Sequence, residues 1–111
     1  MAKKQETVFI DGHVKPFLKK LSNTWFVKTQ QKSRVGTPDF LVCINGHFIA
    51  LEAKKDGKSK VDPMQIWELE KILAASGLSF VPEPGNWPYI KGVLEYIART
   101  GKKPVAINKD F

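Results

Sequence analysis

The chain has 111 residues, 42% of them hydrophobic, and 18 basic against 11 acidic residues give it a formal net charge of +7. This length fits one domain with its own core, and the basic excess favours a polyanionic partner such as nucleic acid over a small metabolite. A basic surface that only aids solubility is the alternative.

A single cysteine excludes an internal disulfide and a cysteine-based zinc site. No segment approaches the roughly 20 apolar residues of a membrane helix, and no signal-peptide run opens the chain, so we expect a soluble cytoplasmic protein with no membrane partner.

The N-terminal third predicts an interrupted helix followed by a strand. Apolar residues recur at helical spacing from about Glu6 to Leu21, but Gly12 and Pro16 interrupt them. Because proline lacks an N–H and its ring clashes with the preceding turn, we expect a kink or a break at Pro16. A strand over 24–29 then enters a basic loop.

A β-hairpin is predicted around Asn45-Gly46, which lies between two runs rich in apolar and β-branched residues. Asn-Gly is the dipeptide that a two-residue type I′ turn requires, because both central residues take positive φ. This register places Asp39 directly opposite Glu52, with Lys54 on the same face of the sheet.

Two opposed carboxylates at the open end of an apolar hairpin predict a bound cation. Like charges with Cβ atoms roughly 5 Å apart destabilise a sheet, and a cation would offset their repulsion. Oxygen ligands favour a hard cation, Mg²⁺ with Mn²⁺ as a substitute, and make zinc a poor fit. Both faces of the hairpin are mostly apolar, which is typical of strands covered on both sides. We therefore expect Cys43 to be a small buried hydrophobe.

A lysine-rich loop leads from the hairpin to Asp62-Pro63, an N-cap followed by proline at the first helical position. The pattern predicts a helix from Pro63 to about Ser76, ended by Gly77. Its sheet-facing stripe should contain Ile66, Leu69, Ile72 and Leu73. A short strand over 78–81 and a helix over 88–99 complete the order.

The predicted order is helix, three strands, helix, strand, helix (αβββαβα), with a crossover through the helix that begins at residue 63. This order indicates an α/β fold in which helices flank a mixed β-sheet. We expect residues 1–100 to form a single domain and residues 101–111 a basic C-terminal tail.

Three motifs together resemble those of the PD-(D/E)XK nuclease superfamily, and specifically its VRR-NUC branch. They are Gly36-Thr37-Pro38-Asp39, Glu52-Ala53-Lys54, and Gln65 near a helix start. The resemblance covers about residues 6 to 97 and implies a restriction-endonuclease-like core. It also implies a Mg²⁺-dependent endonuclease that hydrolyses DNA phosphodiester bonds, with branched or junction DNA as one option for its substrate. Standalone members of this branch are often phage or viral nucleases.

The resemblance also implies roles for individual residues. Asp39, Glu52 and the backbone carbonyl of Ala53 would hold the metal, and Lys54 would orient the attacking water and neutralise the phosphate. Two neighbouring carboxylates favour the charged form of Lys54, so we do not assign it as a general base. Gln65 would hold the water or Lys54 in place.

Further residues of the expected site are less constrained. Glu6 matches an acidic residue that relatives carry in the first helix, where it can approach a metal. Basic and polar residues near the open end of the hairpin are expected to contact DNA phosphates: Lys28, Gln30, Gln31, Lys32, Arg34, Lys55, Lys58 and Lys60. Because one small domain presents one active site to one strand, cutting both strands favours a homodimer.

Explanations without catalysis stay open. Asp39 can simply start a strand, Lys54 can be a solvated charge, and Gln65, three residues after Asp62, can belong to a capping box. The alternative function is a nucleic-acid-binding accessory module that does not cut, and RNA cleavage is a third option. Three tryptophans are expected in the core or at its rim, where an exposed one could stack on an unpaired base: Trp25, Trp67 and Trp87.

Overall fold

The computed structural model describes residues 5–30 and 35–104. Its elements follow the predicted order, with the first helix divided into three pieces. They are α1 (Gln5–Phe9), a π-helical turn (Ile10–Val14), α2 (Lys15–Lys20), β1 (Thr24–Lys28), β2 (Phe40–Ile44), β3 (His47–Leu51), α3 (Pro63–Ala74), β4 (Leu78–Phe80) and α4 (Trp87–Thr100). No helix among these is long and apolar enough to span a membrane.

The irregularity of the first helix is a π-helical turn and not a break at Pro16. The backbone N–H of Lys15 donates to the carbonyl of Ile10, five residues earlier, which accommodates one extra residue in the turn. Pro16 lies in the first turn of α2, where a missing N–H is tolerated. Across the turn, Phe9, Val14 and Leu18 all remain buried.

The four strands form one mixed sheet in the order β1-β2-β3-β4. The first three strands are antiparallel, and β4 pairs parallel with β3 after the crossover through α3. The hairpin register pairs Ile44 with His47 and Phe40 with Leu51. Asn45 and Gly46 have φ values of 51° and 88°. The predicted type I′ turn and its register are therefore confirmed, and the next outward pair is Asp39 with Glu52.

The two faces of the sheet are covered unequally. One face, which carries Phe40, Val42 and Ile49, is buried beneath α1, α2 and α4. On the other face, α3 packs over the β3–β4 side, where the Ser79 hydroxyl donates to the carbonyl of Leu69.

The β1–β2 side of that second face, together with the start of β3, has no helix over it within the described residues. Five side chains line it and are exposed or half-buried: Trp25, Val27, Leu41, Cys43 and Phe48. We call these five residues the open sheet face. The expectation that the hairpin is covered on both sides, with Cys43 buried, is therefore wrong here. Trp67 is also exposed, whereas Trp87 is buried.

Helix α3 ends earlier than predicted, at Ala74. Ser76 takes the left-handed conformation, with φ 72°, and the N–H of Gly77 donates to the carbonyl of Ile72. Glycine is needed at 77 for close packing, because a Cβ there would lie 2.8 Å from the Ile72 side chain. Of the predicted stripe, Leu69 alone is fully buried, while Ile66, Ile72 and Leu73 are half-buried.

The hairpin turn anchors the C-terminal end of α4. The Asn45 side chain donates to the carbonyls of Ile97 (3.3 Å) and Ala98 (3.0 Å), and the Asn23 side chain also donates to Ala98 (3.0 Å). Ala98 lies in the last turn of α4, where carbonyls lack a partner inside the helix, whereas the Ile97 carbonyl also accepts from the N–H of Gly101 (2.8 Å). The anchor lies at the closed end of the hairpin. Asp39 and Glu52 lie at its open end.

Candidate active site

The side chains of Asp39 and Glu52 each accept a hydrogen bond from a peptide N–H of the opposite strand at the open end of the hairpin. The N–H of Asp39 donates to Oε1 of Glu52 (3.2 Å), and the N–H of Ala53 donates to Oδ2 of Asp39 (2.9 Å). Each carboxylate is thus bonded to a peptide group of the opposite strand. Glu52 is only 3% exposed, whereas the Asp39 side chain is half-buried, with 22% of it exposed.

The backbone hydrogen bonds that join β3 to β4 continue beyond the end of β3. The N–H of Glu52 donates to the carbonyl of Phe80 (3.0 Å), and the N–H of Lys54 donates to that of Pro82 (2.9 Å). These two bonds continue the parallel ladder through residues 52–54. The segment Glu52-Ala53-Lys54 is therefore held as an extension of a central strand and not as a free loop.

Asp39 is held from the other side by the end of β1. The N–H of Thr29 donates to the carbonyl of Asp39 (2.8 Å), and its hydroxyl donates to that of Pro38 (2.6 Å). Gly36 precedes this segment with φ +84°, and a Cβ on it would lie 2.7 Å from the carbonyl oxygen of Met64. Glycine at 36 therefore allows the loop to pass directly against the first turn of α3.

Lys54 and Gln65 complete a hydrogen-bonded cluster with Glu52. The Gln65 side-chain amide donates to Oε2 of Glu52 (2.8 Å), and the Lys54 ammonium donates to Oε1 of Gln65 (3.2 Å) and lies 3.7 Å from Oε2 of Glu52. Gln65 Oε1 also accepts from the N–H of Asp62 (3.0 Å) in a capping box. The capping interpretation and the site interpretation of Gln65 are geometrically compatible, because one side chain makes both sets of bonds.

Burial raises the pKa of both carboxyl groups. For Asp39, the nearby Lys28 ammonium, 3.8 Å from Oδ1, and the bond from Ala53 oppose this rise. For Glu52, burial and then the negative charge of Asp39 raise the pKa from 4.5 to about 7, against the opposing effect of Lys54. Two desolvated acids this close resist being ionised together, and a bound cation would relieve that resistance.

The donor set fits a magnesium-type ion. Among residues 5–30 and 35–104, no three His, Cys, Asp or Glu side chains lie close enough to hold one ion. Mg²⁺ is commonly bound through one or two carboxylates, with water and phosphate oxygens as the other ligands, whereas protein zinc sites use three or four side chains. Glu6 lines the same cleft, and its charge also raises the pKa of Glu52, but it does not join the pair as a third ligand.

The cluster lies in a cleft of about 1170 Å³ between the first helical region and the open end of the hairpin. Sequence reasoning missed Asp11 and Lys15, which line this cleft and form an ion pair at 3.3 Å. Their spacing of four residues was the available signal.

The expected DNA contacts fall into three groups. Lys28 and Gln30 line the main cleft. Lys55 and Lys58 are exposed on the loop after Lys54 and do not line it, and Lys60 lines a smaller neighbouring cleft that Lys54 also borders. The remaining three lie outside the described residues: Gln31, Lys32 and Arg34.

The fold is similar to a solved structure described as a "VRR_NUC domain". The TM-score is 0.62 at 22% sequence identity, and the match covers 90% of this chain and 100% of that one. Neither a family model nor a curated protein sequence matches the chain. At this identity the similarity establishes the fold, a four-stranded mixed sheet flanked by helices. The resemblance drawn from the three sequence motifs is confirmed at that level.

Proposed function

We propose that this chain is a metal-dependent deoxyribonuclease that hydrolyses phosphodiester bonds by in-line attack of water. The observation that carries the proposal is the cluster of Asp39, Glu52, Lys54 and Gln65, bonded together in one cleft. The fold shared with a VRR_NUC domain supports it. A purely structural explanation would need the buried Glu52 and the half-buried Asp39 to share a strand end, balanced within the described residues by the ammonium groups of Lys28 and Lys54.

In this proposal Asp39, Glu52 and the backbone carbonyl of Ala53 are the ligands of Mg²⁺, with Mn²⁺ as a substitute. When bound, the ion supplies Lewis-acid polarisation of the phosphate and lowers the pKa of water. The reciprocal bonds between Asp39 and the 52–53 segment restrict the orientation of both carboxylates at the hairpin end. Their shared negative charge is what gives the site its affinity for a cation.

Lys54 and Gln65 act on the reacting groups in different ways. The Lys54 ammonium neutralises charge that builds up on the attacked phosphate and donates to the attacking water. Gln65 carries no charge and is a positioning residue, because its amide ties Lys54 to Glu52. The expected products carry 5′-phosphate ends. Glu6 contributes negative charge to the cleft without being assigned as a ligand.

DNA is the proposed substrate, and the basic residues of the cleft are its proposed phosphate contacts. Lys28, Gln30 and Lys15 line the cleft, and the loop with Lys55, Lys58 and Lys60 would reach phosphates farther along the strand. Residues 32 and 34 remain predicted contacts. We further propose that a homodimer cuts both strands, that branched DNA is a preferred substrate, and that residues 1–100 form the catalytic domain of a cytoplasmic, phage-type enzyme.

A cleavage assay with matched variants tests this function. Purified protein is incubated with a plasmid, a Holliday junction, a flap, single-stranded DNA and an RNA of the same sequence, with Mg²⁺ or with EDTA. We expect Mg²⁺-dependent cutting that Asp39→Ala, Glu52→Gln and Lys54→Ala each abolish. Asp56→Asn is the control, because Asp56 is an acid on the adjacent loop whose side chain accepts from Lys58 and Ser59 of that loop, so this variant should leave cutting intact.

Binding separates the enzyme from the accessory module. Glu52→Gln removes a negative charge from a polyanion site, so it should lose cleavage while keeping or improving DNA affinity. Full activity of Glu52→Gln would reject Glu52 as a ligand. Tight, salt-sensitive binding with no cutting of any substrate by the wild-type protein would favour the accessory module.

A further inference from the structure

The open sheet face is an apolar surface that the described part of the chain leaves uncovered. Trp25 is 63% exposed and Phe48 is 44% exposed. The register pairs Trp25 with Cys43, Cys43 with Phe48, and Val27 with Leu41, and directly opposed residues share a face. None of the five side chains is charged, although the chain carries a net charge of +7.

One side of α3 stands beside this face as a mostly apolar wall, on which the Lys71 ammonium lies 5.4 Å from the centre of the Trp67 ring. Met64 and Trp67 are each 48% exposed and lie three residues apart, on the same side of the helix. Gly36, in the loop before β2, packs against Met64, whereas Ile66 and Val81 line a cleft on the β4 side. The Met64 side of α3 is therefore the side turned toward β2.

These two surfaces are complementary in shape and chemistry. The face spans three strands, which lie about 5 Å apart, so its width of roughly 10 Å matches the roughly 10 Å diameter of a helix. We infer that two copies of this chain associate about a two-fold axis, with the Met64–Trp67 side of α3 of each copy packed on the open sheet face of the other. Two-fold symmetry makes the exchange reciprocal, so one contact covers both surfaces.

Charge argues for a second copy as the occupant. Two molecules that each carry a charge of +7 repel one another, and an uncharged face is where that repulsion costs least. A nucleic acid laid on the same face would find no cation among its five residues to neutralise a phosphate. The inferred surface gives a location to the homodimer proposed above, but it can be tested without any cleavage.

The exposed aromatic area supplies more than a third of the surface that such a contact needs. Trp25, Phe48 and Trp67 are about half exposed, which corresponds to roughly 300 Å² of aromatic surface. A stable interface needs about 800 Å² from each partner, and the neighbouring Val27 and Met64 enlarge the apolar part. Because Met64 immediately precedes Gln65, the contact would adjoin the catalytic cleft of each copy.

Sedimentation velocity over a wide range of protein concentration tests the inference on full-length chain freed of nucleic acid. We expect the wild-type protein to approach twice the mass of one chain, and Trp25→Glu and Val27→Lys to remain monomeric. Tyr89→Glu is the matched control, because Tyr89 is an aromatic residue 57% exposed on α4, across the sheet, and this variant should dimerise like wild type. Higher salt should strengthen association by screening the like charges.

Several outcomes would overturn the inference. A wild-type protein that is monomeric at every concentration would do so, as would Trp25→Glu and Val27→Lys proteins that both dimerise with wild-type affinity. Dimers lost in Tyr89→Glu alone would place the contact on α4. Should either face variant fail to fold, as judged by circular dichroism, alkylation of Cys43 in the wild-type protein decides: its rate should fall as dimer forms, and an unchanged rate in dimers rejects this surface.

Failure of the interface and failure of the nuclease assignment are distinguishable. A monomeric Trp25→Glu protein should still cut single-stranded DNA at the wild-type rate per site, because none of its cluster residues has changed. Dimers that cut nothing would leave the surface in place and reject the proposed function.

Discussion

At the scale of single residues, the protonation of Glu52 governs how the metal-free protein responds to pH. Its pKa is raised from 4.5 to about 7 in the folded state, so between these values the folded protein binds more protons than the unfolded chain. Stability should therefore fall as pH rises from about 4.5 to 7, by roughly 2–3 kcal/mol, and level off above. Thermal unfolding in EDTA across this range measures it, and Glu52→Gln should flatten the curve. A stability that increases with pH in wild type alone would contradict the raised pKa.

Gly36 is predicted to be essential for placing Asp39. It combines a positive φ with a would-be Cβ 2.7 Å from the Met64 carbonyl, so Gly36→Ala should cost about 1–3 kcal/mol and displace the loop that carries Asp39. We expect a lower midpoint in urea unfolding and a loss of cleavage beyond what the stability loss explains. Gly92→Ala, at a helical position with open space, is the control and should be neutral or stabilising.

The residues of the site were predictable to different degrees for physical reasons. The facing of Asp39 and Glu52 followed from the turn, because Asn-Gly restricts the hairpin to one register. The bonds of Gln65 depend on how the crossover seats α3 against the sheet, which no local pattern encodes. Lys15 was missed because an i,i+4 charge pair on a helix does not by itself indicate a cleft. Lys28, predicted as a phosphate contact, lies 3.8 Å from Oδ1 of Asp39.

At the scale of elements, the first turn of α3 links helix capping to the active site. Asp62 and Gln65 both cap the helix, but Gln65 alone bonds Glu52 and Lys54. Asp62→Ala should cost about 1 kcal/mol of stability and leave cleavage nearly unchanged. Gln65→Ala should cost a similar amount and reduce the rate at least tenfold. Equal effects of the two variants on activity would mean that Gln65 acts only as a cap.

The order of elements was predictable, whereas their coverage was not. Strand and helix types followed from turn residues, caps and apolar spacing, so the bounds of β1, β4 and α4 differ from expectation by one residue at an end. An apolar strand face does not reveal whether a helix covers it, because Trp25 has the same local sequence pattern whether buried or exposed. The open sheet face therefore became visible only from the packing of α3.

At the scale of the whole molecule, the net charge of +7 predicts binding that depends strongly on salt. Lys15, Lys28 and Lys54 line the cleft, and each duplex phosphate neutralised adds about 0.9 to the slope of log Kd against log salt. We expect a slope of about 3 or more in EDTA. Lys28→Ala should lower it by about 1, whereas Lys102→Ala, an exposed lysine just past the end of α4, should not. An unchanged slope in Lys28→Ala would remove Lys28 from the phosphate contacts.

The reciprocal bonds across the hairpin end have a consequence for ion capture. The N–H of Asp39 donates to the Glu52 carboxylate, and the N–H of Ala53 donates to the Asp39 carboxylate. These bonds restrict both side chains, so neither acid can rotate away from the other. The site is preorganised, so an arriving divalent ion finds its ligands already oriented and need not restrict free rotors. The hairpin thus holds the carboxyl groups of Asp39 and Glu52 close together before the ion binds. Relief of the unfavourable interaction between them becomes part of the driving force for ion binding.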